Sequence, residues 1–154
     1  MPYVFNTAAR VRVTPAIDTA IYASGDLIGG KLTLSNACPL GQSGGLITDL
    51  VLVDQDNEKS AIDVVFWRKN PSNTTFTDQA PFDCHDTDML ELVGVVSIAA
   101  ADYVSFADNA VATKESLALA FVPEDGRTLY ACLVSRGTPT YTAATDLQLI
   151  VTVI

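Results

Sequence analysis

The sequence predicts an all-β protein, a β-sandwich of jelly-roll type with about eight strands and one short helix. Three observations carry this. Alternating apolar and polar residues dominate the chain, which is the two-residue period of a strand with one buried face. Turn-forming clusters separate these runs at short intervals. Long three-to-four-residue periodicity is absent, so helices cannot supply the layers, and two packed sheets remain.

Taken in order, "ARVRVTPAI" forms an N-terminal strand that Pro15 pushes toward an edge or a strand end. "YASGDLIGGKLTL" holds a turn and a glycine pair between apolar runs. Gly25, Gly29 and Gly30 let the chain turn and change sheet, and Asp26 caps the turn. "GLITDLVLVD" and "SAIDVVFWRK" are β-runs joined by "DQDNEKS", which predicts a hairpin from about Leu46 to Lys69. Next comes the longest irregular stretch, Asn70 to Pro81, of a length more often functional than idle.

"DCHDTDMLELVG" predicts a helix of about two turns. Asp86 is its N-cap, Asp88 lies in its first turn, Met89, Leu90 and Val93 form its apolar stripe, and Gly94 ends it. "VVSIAAADYVSF" returns to strand with an interruption at its alanines. "SLALAFVP" and "TLYACLVSR" flank Asp125-Gly126, a strong hairpin signal. In "TDLQLIVTVI", Leu147, Leu149, Val151 and Val153 share one face.

At 154 residues the chain fits a single domain over residues 1–154, with residues 1–12 as an extended arm. Charged residues make up 18%, below the roughly 25% usual for soluble domains, so part of an apolar surface is expected to meet a partner. Residues 1–77 carry 6 basic and 7 acidic side chains, a balance of −1. Residues 78–154 carry 3 and 11, a balance of −8, which completes the −9 of the chain. That sign disfavours phosphate backbones and anionic lipid, so neither nucleic acid nor a membrane is expected as partner. No run reaches the length of a membrane span, and the N-terminus lacks a secretory pattern, so a soluble protein made in a cytoplasm is expected.

Catalytic and ligand-binding patterns are weak. Cys38, Cys84 and Cys132 are odd in number, widely spaced and without a CxxC. Asp83 to Asp86 with Asp88 gathers Asp, Cys and His, but sequence neighbours rarely converge on one ion, and a helix cap with a bystander histidine is the better reading. Asp54, Asp56 and Glu58 match positions 1, 3 and 5 of a calcium loop. Lys59 then replaces the glycine at position 6 and Val65 the glutamate at position 12. A solvated hairpin tip is expected there, with a weak ion site between subunits as the alternative.

His85 is the only imidazole, and Ser24 lacks the second glycine of a nucleophile elbow. No enzyme activity, catalytic residue, metal or cofactor is therefore expected. Trp67 either points outward as a partner anchor or lies half-buried under the 70–81 segment.

Several segments together, "YASGDLIGGKLTL", "GLITDLVLVDQDNEKSAIDVVFW", "NTTFTDQAPF", "GVVSIAAADYVSFADNAVAT" and "LYACLVSRGTPTYTAATDLQLIVTV", resemble small structural proteins encoded beside the major capsid protein of tailed bacteriophages. The resemblance covers about Ile21 to Val153 and is to capsid decoration, or cement, proteins. It implies a viral structural protein on the outside of the capsid of a virion, holding major capsid protein subunits together, and acting as a homodimer or homotrimer. It implies no active site. The alternatives are a tail or baseplate component, or a receptor- or carbohydrate-binding sandwich, which would call for clustered exposed aromatics where Trp67, Tyr103 and Tyr141 are scattered along the chain.

Overall fold

The computed structural model describes residues 8–154. Ten strands build two antiparallel sheets: β1 (Ala9–Val13), β2 (Leu27–Leu34), β3 (Gly45–Asp54), β4 (Ile62–Trp67), β5 (Leu92–Ile98), β6 (Tyr103–Phe106), β7 (Asn109–Lys114), β8 (Leu119–Phe121), β9 (Leu129–Ser135) and β10 (Leu147–Val153). The larger sheet runs β1-β10-β3-β7-β6, and the smaller runs β2-β9-β4-β5. β8 and β7 lie end to end along β3, with β8 on Gly45–Ile47 and β7 on Leu50–Asp54. Counting those two as one position leaves eight positions in the order of a jelly roll, with β6 added as the hairpin partner of β7. That is the expected sandwich, with ten strands where about eight were predicted.

The main core lies between the sheets. Leu147, Leu149, Val151 and Val153 all point into it, as the period of β10 predicts. β1 is an edge strand whose Val11 and Val13 pack on the core while Arg10 and Arg12 face out. Of the expected arm, residues 1–7 lie outside the described residues, and residues 9–12 are paired into β1 against β10.

Two predicted hairpins are corrected. β3 and β4 are not partners: β3 sits between β10 and the β7/β8 pair, while β4 lies between β9 and β5 in the other sheet. Likewise β8 pairs with β3, and β9 sits between β2 and β4. The Asp125-Gly126 turn does form, with Gly126 at φ +64°, but it carries the chain from one sheet to the other. β4 and β9 are buried on both faces. A strand with two apolar faces gains more at the centre of a covered sheet than in a hairpin with one wet face.

The predicted helix is also cut short. Helix α1 spans Asp86–Met89, and its N-cap is His85, whose Nδ1 accepts from the Thr87 N–H. Val93 and Gly94 belong to β5. Met89 and Leu90 are exposed, and Asp88, placed in the first turn, is the buried residue instead. A helix this short has no stripe to bury, and the competing strand pairing of β5 with β4 takes its expected last turn. A single 3-10 turn at Ala100–Asp102 accounts for the alanine interruption.

The segment from Asn70 to Cys84 runs across the outward face of the smaller sheet and roofs a second apolar cluster. Trp67, fully buried, meets Phe76 and Phe82 edge-on at 5.8 and 6.1 Å between ring centres. Leu27, Val65, Cys132 and Val134 form the floor. The outward anchor expected as one alternative for Trp67 is thus excluded, and burial under the 70–81 segment is complete.

Two aspartates pin this cover. Asp88 accepts from the Asn73 N–H at 3.0 Å, Asn73 Nδ2 at 3.1 Å and Thr74 Oγ1 at 2.7 Å. Asp78 accepts from Tyr22 Oη at 2.8 Å and the Gly29 N–H at 2.6 Å. Gly29 sits in a bulge of β2 at φ +74°, where an added Cβ would lie 2.9 Å from Pro15 Cβ. No other residue fits that backbone without displacing the chain before β2. Asp26 caps its turn as expected, accepting from the Ala23 N–H at 2.8 Å.

Candidate functional site

The two ends of the sandwich are chemically different. One end gathers the connections β3–β4, β9–β10 and β1–β2, and is tied down by carboxylates. Asp54 is fully buried and accepts from the Asp56 and Lys59 N–H groups at 3.0 and 2.7 Å. Burial pushes its pKa up, partly countered by those hydrogen bonds. Glu58 accepts from the Thr140 N–H, and Asp56 and Asp146 both accept from the Thr142 N–H, each at 3.0 Å. The predicted solvated hairpin tip is therefore a braced crossing, in which Asp54, Asp56 and Glu58 are spent on backbone donors. Acceptors aimed at N–H groups stiffen irregular backbone that has no ladder of its own.

The opposite end gathers the β2–β3 and β8–β9 connections, α1, Arg68 just past the end of β4, and Ile154. Arg68 organises it. Its guanidinium reaches Glu91 at 2.7 Å and Glu124 at 3.1 Å, and donates to the Val122 carbonyl at 3.4 Å. Arg127 joins the two connections through the Cys38 carbonyl at 2.8 Å and Asn36 Oδ1 at 3.1 Å.

At this same end stand Leu40, Met89, Leu90, Val122 and Ile154, exposed by 68%, 51%, 84%, 61% and 47%. They are five of the nine large apolar side chains exposed among the described residues, whereas the loops of the opposite end expose Ile21 alone. Single exposed apolar residues are ordinary, but several at one end make it the candidate contact surface. The described chain also begins here, since Ala9 is paired with Val153.

The sequence reading placed Met89 and Leu90 in a buried stripe and did not single out Leu40, Val122 or Ile154. The available signal was apolar side chains beside turn-forming residues, Leu40 between Pro39 and Gly41 and Val122 before Pro123. In such places a side chain has little chance of sharing a strand's buried face.

The residues weighed for chemistry are scattered. Ser24 is exposed in the turn before β2, and His85 is exposed as the helix cap on the other side of the cover. Cys38 and Cys132 are buried and Cys84 half-buried, and burial pushes all three thiols up. Such thiols are poor nucleophiles at neutral pH. Asp83, Asp86 and His85 do not converge with other ligands. Among the described residues no three His, Cys, Asp or Glu side chains are grouped to hold a metal ion.

A shallow groove of about 290 Å³ lies along the cover, lined by Asn73, Thr75, Thr77, Phe82, Asp83 and His85 among others. Trp67, Tyr103 and Tyr141, the side chains a sugar-stacking surface would use, are buried. Among the described residues no helix is long and apolar enough to cross a membrane. No family model matches the chain, and no curated protein matches it.

Proposed function

We propose that the protein is a capsid decoration protein of a tailed bacteriophage, which sets its apolar end against the outside of the head and bridges major capsid protein subunits. The observation that carries this is the concentration of Leu40, Met89, Leu90, Val122 and Ile154 at the end of the sandwich that holds Arg68, whereas the loops of the other end expose Ile21 alone. The jelly-roll architecture and the resemblance of Ile21–Val153 to phage decoration proteins support the same reading.

Mechanistically the task is linkage. A protein that binds only the assembled shell stabilises it by RT ln(1 + L/Kd) per site, which grows with the logarithm of its free concentration L over Kd, with no bond made or broken. The apolar side chains supply burial against the shell, and the Arg68–Glu91–Glu124 frame holds the chain beside Leu90 and Val122 in one arrangement before contact, which lowers the ordering cost of binding.

Co-sedimentation with expanded heads tests it. Wild-type protein should saturate the particles, and the double variant Leu90→Asp/Val122→Asp should lose most of its occupancy while keeping its far-ultraviolet spectrum. Unchanged occupancy would remove this end from the contact. Copy number per virion separates head from tail: copies numbering on the order of hundreds fit repeated lattice sites, and a handful would move the protein to the tail.

A further inference from the structure

The outward face of the larger sheet has no covering element among the described residues, and its side chains are ordered in rows. Cross-strand register places Val104 beside Val111, then Val53, then Gln148. The next row is Arg12, Ile150, Val51 and Thr113. Phe106 follows Val104 on the same face of β6. Together Ile150, Val51, Val53, Val111, Val104 and Phe106 make a continuous apolar strip, in which Val104 and Phe106 on the edge strand are 58% and 59% exposed. At the β1 edge stand Arg10 and Arg12, and at the opposite corner the β6–β7 turn carries Asp108. All three are exposed, and none has an ion-pair partner among the described residues.

We propose that a second copy of this chain covers this face in a two-fold pair, with the apolar strips in contact and Arg10 and Arg12 of each copy facing Asp108 of the other. The charge pattern selects that occupant. A two-fold axis lying between the sheets and crossing the middle of the strip exchanges the basic and acidic corners, so one surface supplies both signs to itself. Any other partner would have to carry an acidic corner, an apolar strip and a basic corner at the same spacing.

The size of the face sets the strength. Five strands about 4.8 Å apart and about six residues long give a face of about 19 by 20 Å, or about 400 Å² in projection. That is roughly half of the 800 Å² per partner of a standard stable interface, so the pair is weak in dilute solution. It becomes populated when a lattice holds two copies side by side. The purpose of the pair rests on the shell-binding reading, but the pair itself is measured without a particle, so failure of one leaves the other standing.

Sedimentation velocity of the whole chain over a concentration series reaching the millimolar range is the test. A rapidly exchanging monomer–dimer equilibrium is expected. Val104→Glu, and separately Phe106→Ser, should abolish it with an unchanged circular dichroism spectrum. Arg10→Glu/Arg12→Glu should weaken it about tenfold or more, and adding Asp108→Lys to that variant should recover most of the loss. A monomer at every concentration, a trimer, a dimer indifferent to Val104→Glu, or a triple variant as weak as the arginine variant would each overturn the proposal. So would a dimer seen only after deletion of residues 1–7, because that segment would then be the occupant.

Discussion

The two sheets differ in what lies on their outward faces. The smaller sheet is roofed by its own chain: Asn70 to Cys84 buries Trp67, Val65, Cys132 and Val134 under Phe76 and Phe82. On the larger sheet Val51, Val53, Val111 and Ile150 stay half-buried, and Val104 and Phe106 are open. One face is finished within the molecule, and the other carries no cover among the described residues. The lesson is that apolar content alone does not tell a core from an interface. What separates them is whether a segment of the chain is long enough, and anchored at both of its ends, to cover the face.

The largest expected effect comes from breaking the finished face. Trp67→Ala removes the ring that both phenylalanines lean on, and should cost about 3–5 kcal/mol in a denaturant titration. Thr113→Ala, on the bare face, should cost within about 0.5 kcal/mol. If the two costs are alike, the roof contributes little and the comparison fails.

Smaller is the loss from unhooking the roof. Asp88→Ala strands the Asn73 N–H and the Thr74 hydroxyl and should cost about 1–3 kcal/mol. Faster hydrogen exchange should be confined to residues 73–85, with the larger sheet unaffected.

Acid should act on the same hook. Burial alone would push the Asp88 carboxyl up, but hydrogen bonds from Thr74 and Asn73 outweigh it and hold the pKa below the usual range. The stabilisation is therefore complete above the unfolded value, about 3.9, and is lost as pH falls through the lower folded value. Asp54 has the opposite sign. Its raised pKa gives a contribution present below the unfolded value and lost as pH rises through the folded one. Acidification should thus loosen residues 73–85 while the 55–60 crossing keeps its protection, and Asp88→Asn should remove the first effect.

The smallest effect sharpens the bare side. Val53→Thr changes one half-buried methyl to a hydroxyl in mid-sheet, and should alter monomer stability by no more than about 0.5 kcal/mol. Its influence should appear in self-association instead.

What could be read from the sequence follows the same division. Strand β10, the edge position of β1, the cap by Asp26 and the long irregular segment were all legible, because each rests on local pattern or local turn chemistry. The pairings of β3 with β4 and of β8 with β9 were misread. A turn signal such as Asp125-Gly126 says that the chain reverses, and is silent on which sheet it enters next. The runs "IDVVFW" and "LYACLVS" are nearly continuous in apolar residues, which is the mark of strands covered on both faces, and that signal outranks the turn. Nothing local distinguishes Leu90 at a tip from a leucine in a helical stripe. Its exposure depends on where β5 starts, which is decided by pairing with β4 some two dozen residues earlier in the chain.

The pairing of Ala9 with Val153 has a mechanical side. Force applied between the start of β1 and Ile154 would peel that edge open one hydrogen-bonded pair at a time, the softest way to unravel an antiparallel ribbon. Tension entering at the apolar end and leaving at the carboxylate-braced end runs along the strands, so the whole ladder resists together. Under the proposed attachment through its apolar end, the protein is pulled in its strong direction only when a second grip lies toward the far tip.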